Sequence, residues 1–202
     1  MMLLSANRNV TATRLNAVLP NNGNHHPLTI LGASAFRRFG ASFGKINVFM
    51  KEVIINKLTK LSEHITLGEL TKTKTGIDNV PNEEQVKNLK RLCGWLEKLR
   101  KRWNDLYGEG DDPIIINSGF RSPAVNKAVG GATLSNHLTG CAVDIRCIGI
   151  EQALRYAAIL LDISDLNKED FDELLIEQKA HVIWIHFAVK SSCNRRRTNF
   201  KR

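Results

Sequence analysis

From Met50 onward the apolar positions recur at spacings that assign elements. Val53, Ile54, Leu58 and Leu61 mark one face of a short helix. His64–Leu70 reads as a short extended or turn segment. Thr71–Pro81, polar and carrying Gly76, Asn79 and Pro81, reads as a loop. Asn82 followed by Glu83, Glu84 and Gln85 is a helix entry. Val86, Leu89, Leu92, Leu96, Leu99 and Trp103 then repeat every three or four residues, which predicts a long amphipathic helix over 82–107. Gly108, Gly110 and Asp111–Asp112–Pro113 end it. Ile114–Ile116 is a short β-branched run, expected to be a buried strand. A helical turn is expected over 124–129, a strand over 140–147, helices over 150–161 and 167–176, and an apolar strand over 182–189. Helices interspersed with separated short strands indicate an α+β fold, a small antiparallel sheet with flanking helices.

The first 49 residues differ. They hold five basic residues and no acidic one, are rich in Asn, Ala, Arg and Ser, and show no helical apolar stripe. They are expected to be a disordered extension, or to precede a natural start at Met50. Met1–Leu4 is too short for the apolar core of a signal peptide. The protein is therefore expected to be cytoplasmic as synthesised. No apolar run approaches membrane-spanning length.

The 202 residues suggest one domain with tails, here 50–190 between the extension and a basic tail at 191–202. The net charge of +9 invites a nucleic-acid reading. Its distribution argues against one: six further basic residues fall within 190–202, leaving 18 basic against 20 acidic between 50 and 189. The tails can be drawn to any polyanion or merely aid solubility. Nucleic acid and membrane are not expected partners. Cys93, Cys141, Cys147 and Cys193 form no Cys-x-x-Cys pair and are read as free thiols, with Cys141 and Cys147 as packing residues.

Three features carry chemistry. Ser118-Gly119-Phe120-Arg121-Ser122 is a polar turn after an apolar strand. Ser135-Asn136-His137 is followed by Gly140-x-Ala142-x-Asp144. Trp184-Ile185-His186 lies in an apolar strand. Asp144 sits between Val143 and Ile145, and His186 between Ile185 and Phe187. Ionisable groups in core strands need partners, because burying a bare charge is costly. A shared metal ion would satisfy both, and a His-Asp-His set suits zinc with a fourth position open to water. The spacing alone leaves metal site and paired surface residues equally open.

Taken together, SGFRSPAVNKAVGGATLSNHLTGCAVDI, FDELLIE and WIHFAV resemble the M15 family of zinc D-Ala-D-Ala carboxypeptidases and related endopeptidases, nearest its phage-lysin branch. The resemblance runs over roughly residues 60–190 and implies a hedgehog/DD-peptidase-like fold. It implies that His137, Asp144 and His186 hold Zn²⁺. It also implies that Arg121 reaches into the substrate cleft, to hold a carboxylate or a developing oxyanion. Ser118 and Ser122 then organise the turn, Ser135 supports the site by hydrogen bonding, and Asn126 stands behind it. Trp184 is read as core packing. Some relatives carry a Glu three residues before the last His, where this chain has Ile183. The proton-transfer role then falls to Glu177 or His181, with Glu177 preferred. The implied function is hydrolysis of peptidoglycan stem or cross-link peptides by a bacterial or phage-encoded enzyme reaching the wall after release. The alternative is a catalytically inactive, zinc-containing wall-binding module.

Overall fold

The structure, a computed structural model, describes residues 56–202. The expectations for residues 1–49 and for Val53 and Ile54 fall outside them. Residues 56–61 form a turn and a bridge from Lys60 to Thr66, rather than a helix, and Leu58 is exposed.

Thr66 caps α1 (Leu67–Thr71): its hydroxyl accepts from the Glu69 amide while the Glu69 side chain accepts from the Thr66 amide. This reciprocal cap makes a helical turn where the sequence suggested an extended segment. Asn82 and Gln85 build the same device for α2 (Glu83–Leu106), whose stripe of Leu89, Leu92, Leu96, Leu99 and Trp103 is buried as its spacing requires. β1 spans Ile116–Ser118, two residues later than expected; Ile114 is buried, but Ile115 is half exposed. α3 (Pro123–Ala128) starts on the Ser122 cap with Pro123 in its first turn. A 3₁₀ turn, Asn136–Thr139, leads into β2 (Ala142–Cys147), and α4 runs Gly149–Asn167.

The expected helix over 167–176 is not formed. α4 ends at Asn167, and β3 spans Glu173–Lys179, paired along its length with β4 (Val182–Ala188). Leu174 and Ile176 face the core while Glu173 and Glu177 face the other side, a two-residue period that cross-strand pairing enforces. The expected basic tail folds as well: β5 (Arg197–Lys201) runs parallel to β3. The sheet has the order β1-β2-β4-β3-β5, antiparallel except for this last pair. β4 ends opposite Glu173, so the chain needs only residues 189–196 to turn and start β5 beside it. Asp172 anchors the turn, its carbonyl accepting from the Arg197 amide at 3.0 Å and its buried carboxylate binding Arg195 and Lys190.

One face of the sheet is apolar. Val143, Ile145, Ile185, Phe187, Leu174 and Ile176 join α2 and α4 in a single core, with Trp95 against Phe187 and Trp103 edge-on to Tyr156. Cys93 and Cys147 are buried, and burial pushes both thiols up to about 12, consistent with packing residues. Cys141 is likewise a buried free thiol. No helix among the described residues is long and apolar enough to cross a membrane.

Candidate metal centre

The other face of the sheet carries the chemistry, and register decides which residues meet. Asp144 pairs with His186, and His186 with Leu175. In the next row Arg146, Trp184, Glu177 and Lys201 are partners, and on the opposite flank Ala142, Ala188, Glu173 and Arg197. Paired residues share a face, so two acids, a tryptophan and three cations flank the Asp144–His186 pair.

His137 arrives from the 3₁₀ turn. The Ser135 hydroxyl accepts from the His137 amide at 3.3 Å. The turn is docked on α2: Gln85 Nε2 donates to the Leu138 carbonyl and Asn88 Nδ2 to the Thr139 carbonyl, each at 2.9 Å. Gly140 is left-handed (φ 72°), and a Cβ there would lie 2.7 Å from the Gln85 carbonyl oxygen. Only glycine lets the turn sit this close.

The three expected ligands converge. His137 Nε2 lies 3.2 Å from Asp144 Oδ1 and 3.2 Å from His186 Nδ1, and the last two atoms are 3.0 Å apart. All three residues are buried. Metal–ligand bonds of about 2.0–2.1 Å at tetrahedral angles give an edge of about 3.3 Å between donor atoms. The triangle is close to one face of that tetrahedron, so the donor set fits a tetrahedral divalent ion. The histidine orientations fit as well. His137 Nδ1 lies 2.6 Å from the Gly119 carbonyl, which can only accept, so Nδ1 carries the proton and the Nε2 lone pair points to the centre. His186 uses its nitrogens the other way: Nδ1 faces the centre and Nε2 lies 3.4 Å from Glu173 Oε2.

Burial works against a charge on His186, yet bonds to Asp144 and Glu173 outweigh it and push its pKa up to about 9. Burial alone would raise Asp144; the two histidines overcome this and hold it well below the usual carboxylate range. Bonding to His186 is the main cause that holds Glu173 at about 2.

Arg121 bonds the outer oxygen of Asp144, and its Nε donates to Ser118 Oγ at 2.8 Å. The turn bearing it is held by Asn79, whose Nδ2 donates to the Phe120 carbonyl and whose Oδ1 accepts from the Ser122 amide. The Ser122 hydroxyl caps α3, accepting from the Val125 amide at 3.4 Å. Arg121, Glu173, Glu177, Trp184 and the three expected ligands line one cavity of about 710 Å³. Trp184, expected in the core, stands half-buried in that cavity wall because the two-residue period puts it on the face of His186. Asn126 is buried behind it, donating to the Ala132 carbonyl, and does not line the cavity. His181 is not brought to the centre. It lies exposed in the β3–β4 turn, five residues from His186, or about 16 Å of strand. Ile183, an odd number of residues from His186, packs against the core. The structure adds Glu173, Asn79 and the cations of the last strand to the site; of these only Glu173 left a signal in the sequence, an acid of the same parity as Glu177 about an apolar run.

Residues 60–186 match the peptidase M15 family. The chain belongs to that family. A 36-residue segment is 53% identical to the zinc D-Ala-D-Ala carboxypeptidase of Streptomyces albus G, over 18% of this chain and 14% of that protein. The match thus spans about one seventh of that relative's length. The family assignment covers α1 to β4 and both histidines of the centre; it stops before β5.

Proposed function

We propose that this M15 chain is a zinc peptidase acting on bacterial wall peptides of the D-Ala-D-Ala type, with His137, Asp144 and His186 holding the metal. The observation that carries the reading is the triangle of donor atoms, 3.0 to 3.2 Å on a side, at the floor of a cavity large enough for a peptide. The name of the S. albus relative supports both the metal and the substrate class. When bound, zinc supplies Lewis acidity, polarising a carbonyl and making water a stronger acid.

The chain's own residues supply the rest. Glu177, on the cavity face one row from His186, is the proposed proton carrier. Its carboxylate takes a proton from the attacking water and returns it to the leaving amine. Arg121, braced by Ser118, presents its guanidinium to a substrate carboxylate or to the oxygen that gains charge as the carbonyl is attacked. Trp184 gives the peptide an apolar wall.

The test combines zinc analysis with mass spectrometry of purified peptidoglycan after incubation, with and without a chelator. Chelator-sensitive loss of terminal D-Ala or opening of cross-links is expected. His137→Ala should lose both zinc and cleavage, whereas Glu177→Gln should keep zinc and lose about 10²–10⁴ in kcat. Zinc-loaded protein that releases no fragment from several wall types would overturn the enzymatic reading.

A further inference from the structure

We propose that Arg195, Arg197 and Lys201 form an anion subsite beside the metal centre that selects peptides carrying a carboxylate a few residues from the bond cut. This rests on the peptidase reading above and names the substrate class of the same site.

The three residues belong to the C-terminal segment that crosses the start of β3 and becomes β5. Arg197 and Lys201 are the β5 partners of Glu173 and Glu177, so both stand on the cavity face. Arg196 adopts a left-handed conformation (φ 49°), uncommon for a residue other than glycine. That turn sends Arg196 away, to Asp165 and Asp170, while Arg195 and Arg197 both line the cavity. Three consecutive arginines are thereby sorted, two towards the site and one against α4.

Each cation is held from below. Arg195 grips the buried Asp172 through Nε and Nη2 at 2.8 and 2.6 Å. Arg197 Nη1 reaches Glu173 at 3.0 Å, and Lys201 reaches Glu177 at 3.2 Å. These bonds leave Nη1 of Arg195 and Nη2 of Arg197 for an incoming anion. The side chains remain 46–51% exposed and line the open cavity. A guanidinium already oriented by one carboxylate loses little freedom on binding a second. With Arg121 and Lys190, five cations line the cavity against the carboxylates of Asp144, Glu173 and Glu177 and the buried Asp172 beneath Arg195 and Lys190. A bound divalent metal adds to the same sign.

Distance sets where the carboxylate would lie. β5 is two strand spacings from His186, about 10 Å, which extended peptide covers in about three residues. The acids interleaved with the cations disfavour a continuous polyanion and suit a discrete carboxylate. All three cations lie after residue 186, where the family match ends, so that match does not itself assign them a role.

The experiment uses the full chain loaded with zinc. Two fluorescein-labelled peptides ending in D-Ala-D-Ala carry Glu or Gln about three residues from the last bond. A ketomethylene isostere at that bond prevents turnover, and anisotropy reads binding. The Glu peptide should bind about tenfold tighter, as expected for one charge-assisted contact. Arg197→Gln combined with Lys201→Gln should bring the ratio to about one. Should that variant fail to melt cooperatively, Lys201→Gln alone, at an exposed position, should at least halve the ratio. Equal binding of the two peptides to the unaltered protein, or a ratio unmoved in the variants, overturns the subsite. Duplex DNA that binds tighter than the Glu peptide and outcompetes it would also overturn it, in favour of a general polyanion surface. Cleavage of the parent amide peptides is followed separately. If neither is cut while the Glu preference holds, the peptidase reading fails and the subsite stands.

Discussion

Glu173 works through both its oxygens. Oε2 faces His186 Nε2 and Asn136, while Oε1 takes Arg195 and Arg197. A ligating histidine needs its remote nitrogen held by an acceptor, and here that acceptor is itself held by two arginines. Glu173→Gln keeps the shape but offers Nε2 a weaker, neutral partner. Zinc affinity measured by chelator competition should fall about 10-fold or more. The thermal midpoint of the metal-free protein should move far less than it would on losing a core side chain. Unchanged affinity would reduce Glu173 to a rim acid. Asp144 and His186 are legible in the sequence because each carries an ionisable group where an apolar neighbour belongs, whereas His137 stands out only through the motif shared with the family. Glu173 is not legible, because the stretch 167–176 also fits a helix, in which the parity of Glu173 with Glu177 has no meaning.

At the scale of elements, the site depends on two turns packed against helices. Gly119 sits against α1, and a Cβ added there would lie 2.4 Å from the Leu70 carbonyl oxygen. The same glycine's carbonyl orients His137. Gly119→Ala must push the turn off α1, costing about 1–3 kcal/mol as an overpacked contact. It should also move the carbonyl that fixes the His137 tautomer. Denaturant midpoints and zinc competition should therefore both fall. A loss of stability with intact zinc affinity would show that the turn relaxes without disturbing His137. The long helix α2 needed no tertiary information: its cap and stripe agree, and only one face can be buried. The short elements did. α1, with five residues, and β1, with three, are set by a cap and by pairing to β2 rather than by periodicity.

For the whole molecule, the last segment closes the sheet through Asp172. Burial would raise this carboxylate, but bonds from Arg195, Lys190 and Asn136 outweigh burial and hold it well below its usual range. A depressed folded-state pKa stabilises the protein above the unfolded value, about 3.9 for Asp, and that stability is lost as pH falls below it. Urea midpoints should therefore drop as pH is lowered from about 4. Asp172→Asn should cost about 2 kcal/mol at neutral pH and flatten that part of the profile. An Asn variant with the same acid slope would assign the slope to other carboxylates.

The sequence by itself determined the long helix, the strands that hold Asp144 and His186, and the need of those two buried groups for partners. These rest on local spacing and on the cost of burying a charge, which are properties of the chain alone. The tertiary structure decided what depends on who pairs with whom. Register with β4 made 173–179 a strand and set Glu173 behind His186. The two-residue period took Trp184 out of the core and left His181 and Ile183 away from the centre. The turn at 189–196 converted an expected basic tail into a strand whose cations line the cavity. Pairing of β2 with β4 and of β3 with β5 joins residues far apart in the chain, so no short window of sequence contains the information that selects it.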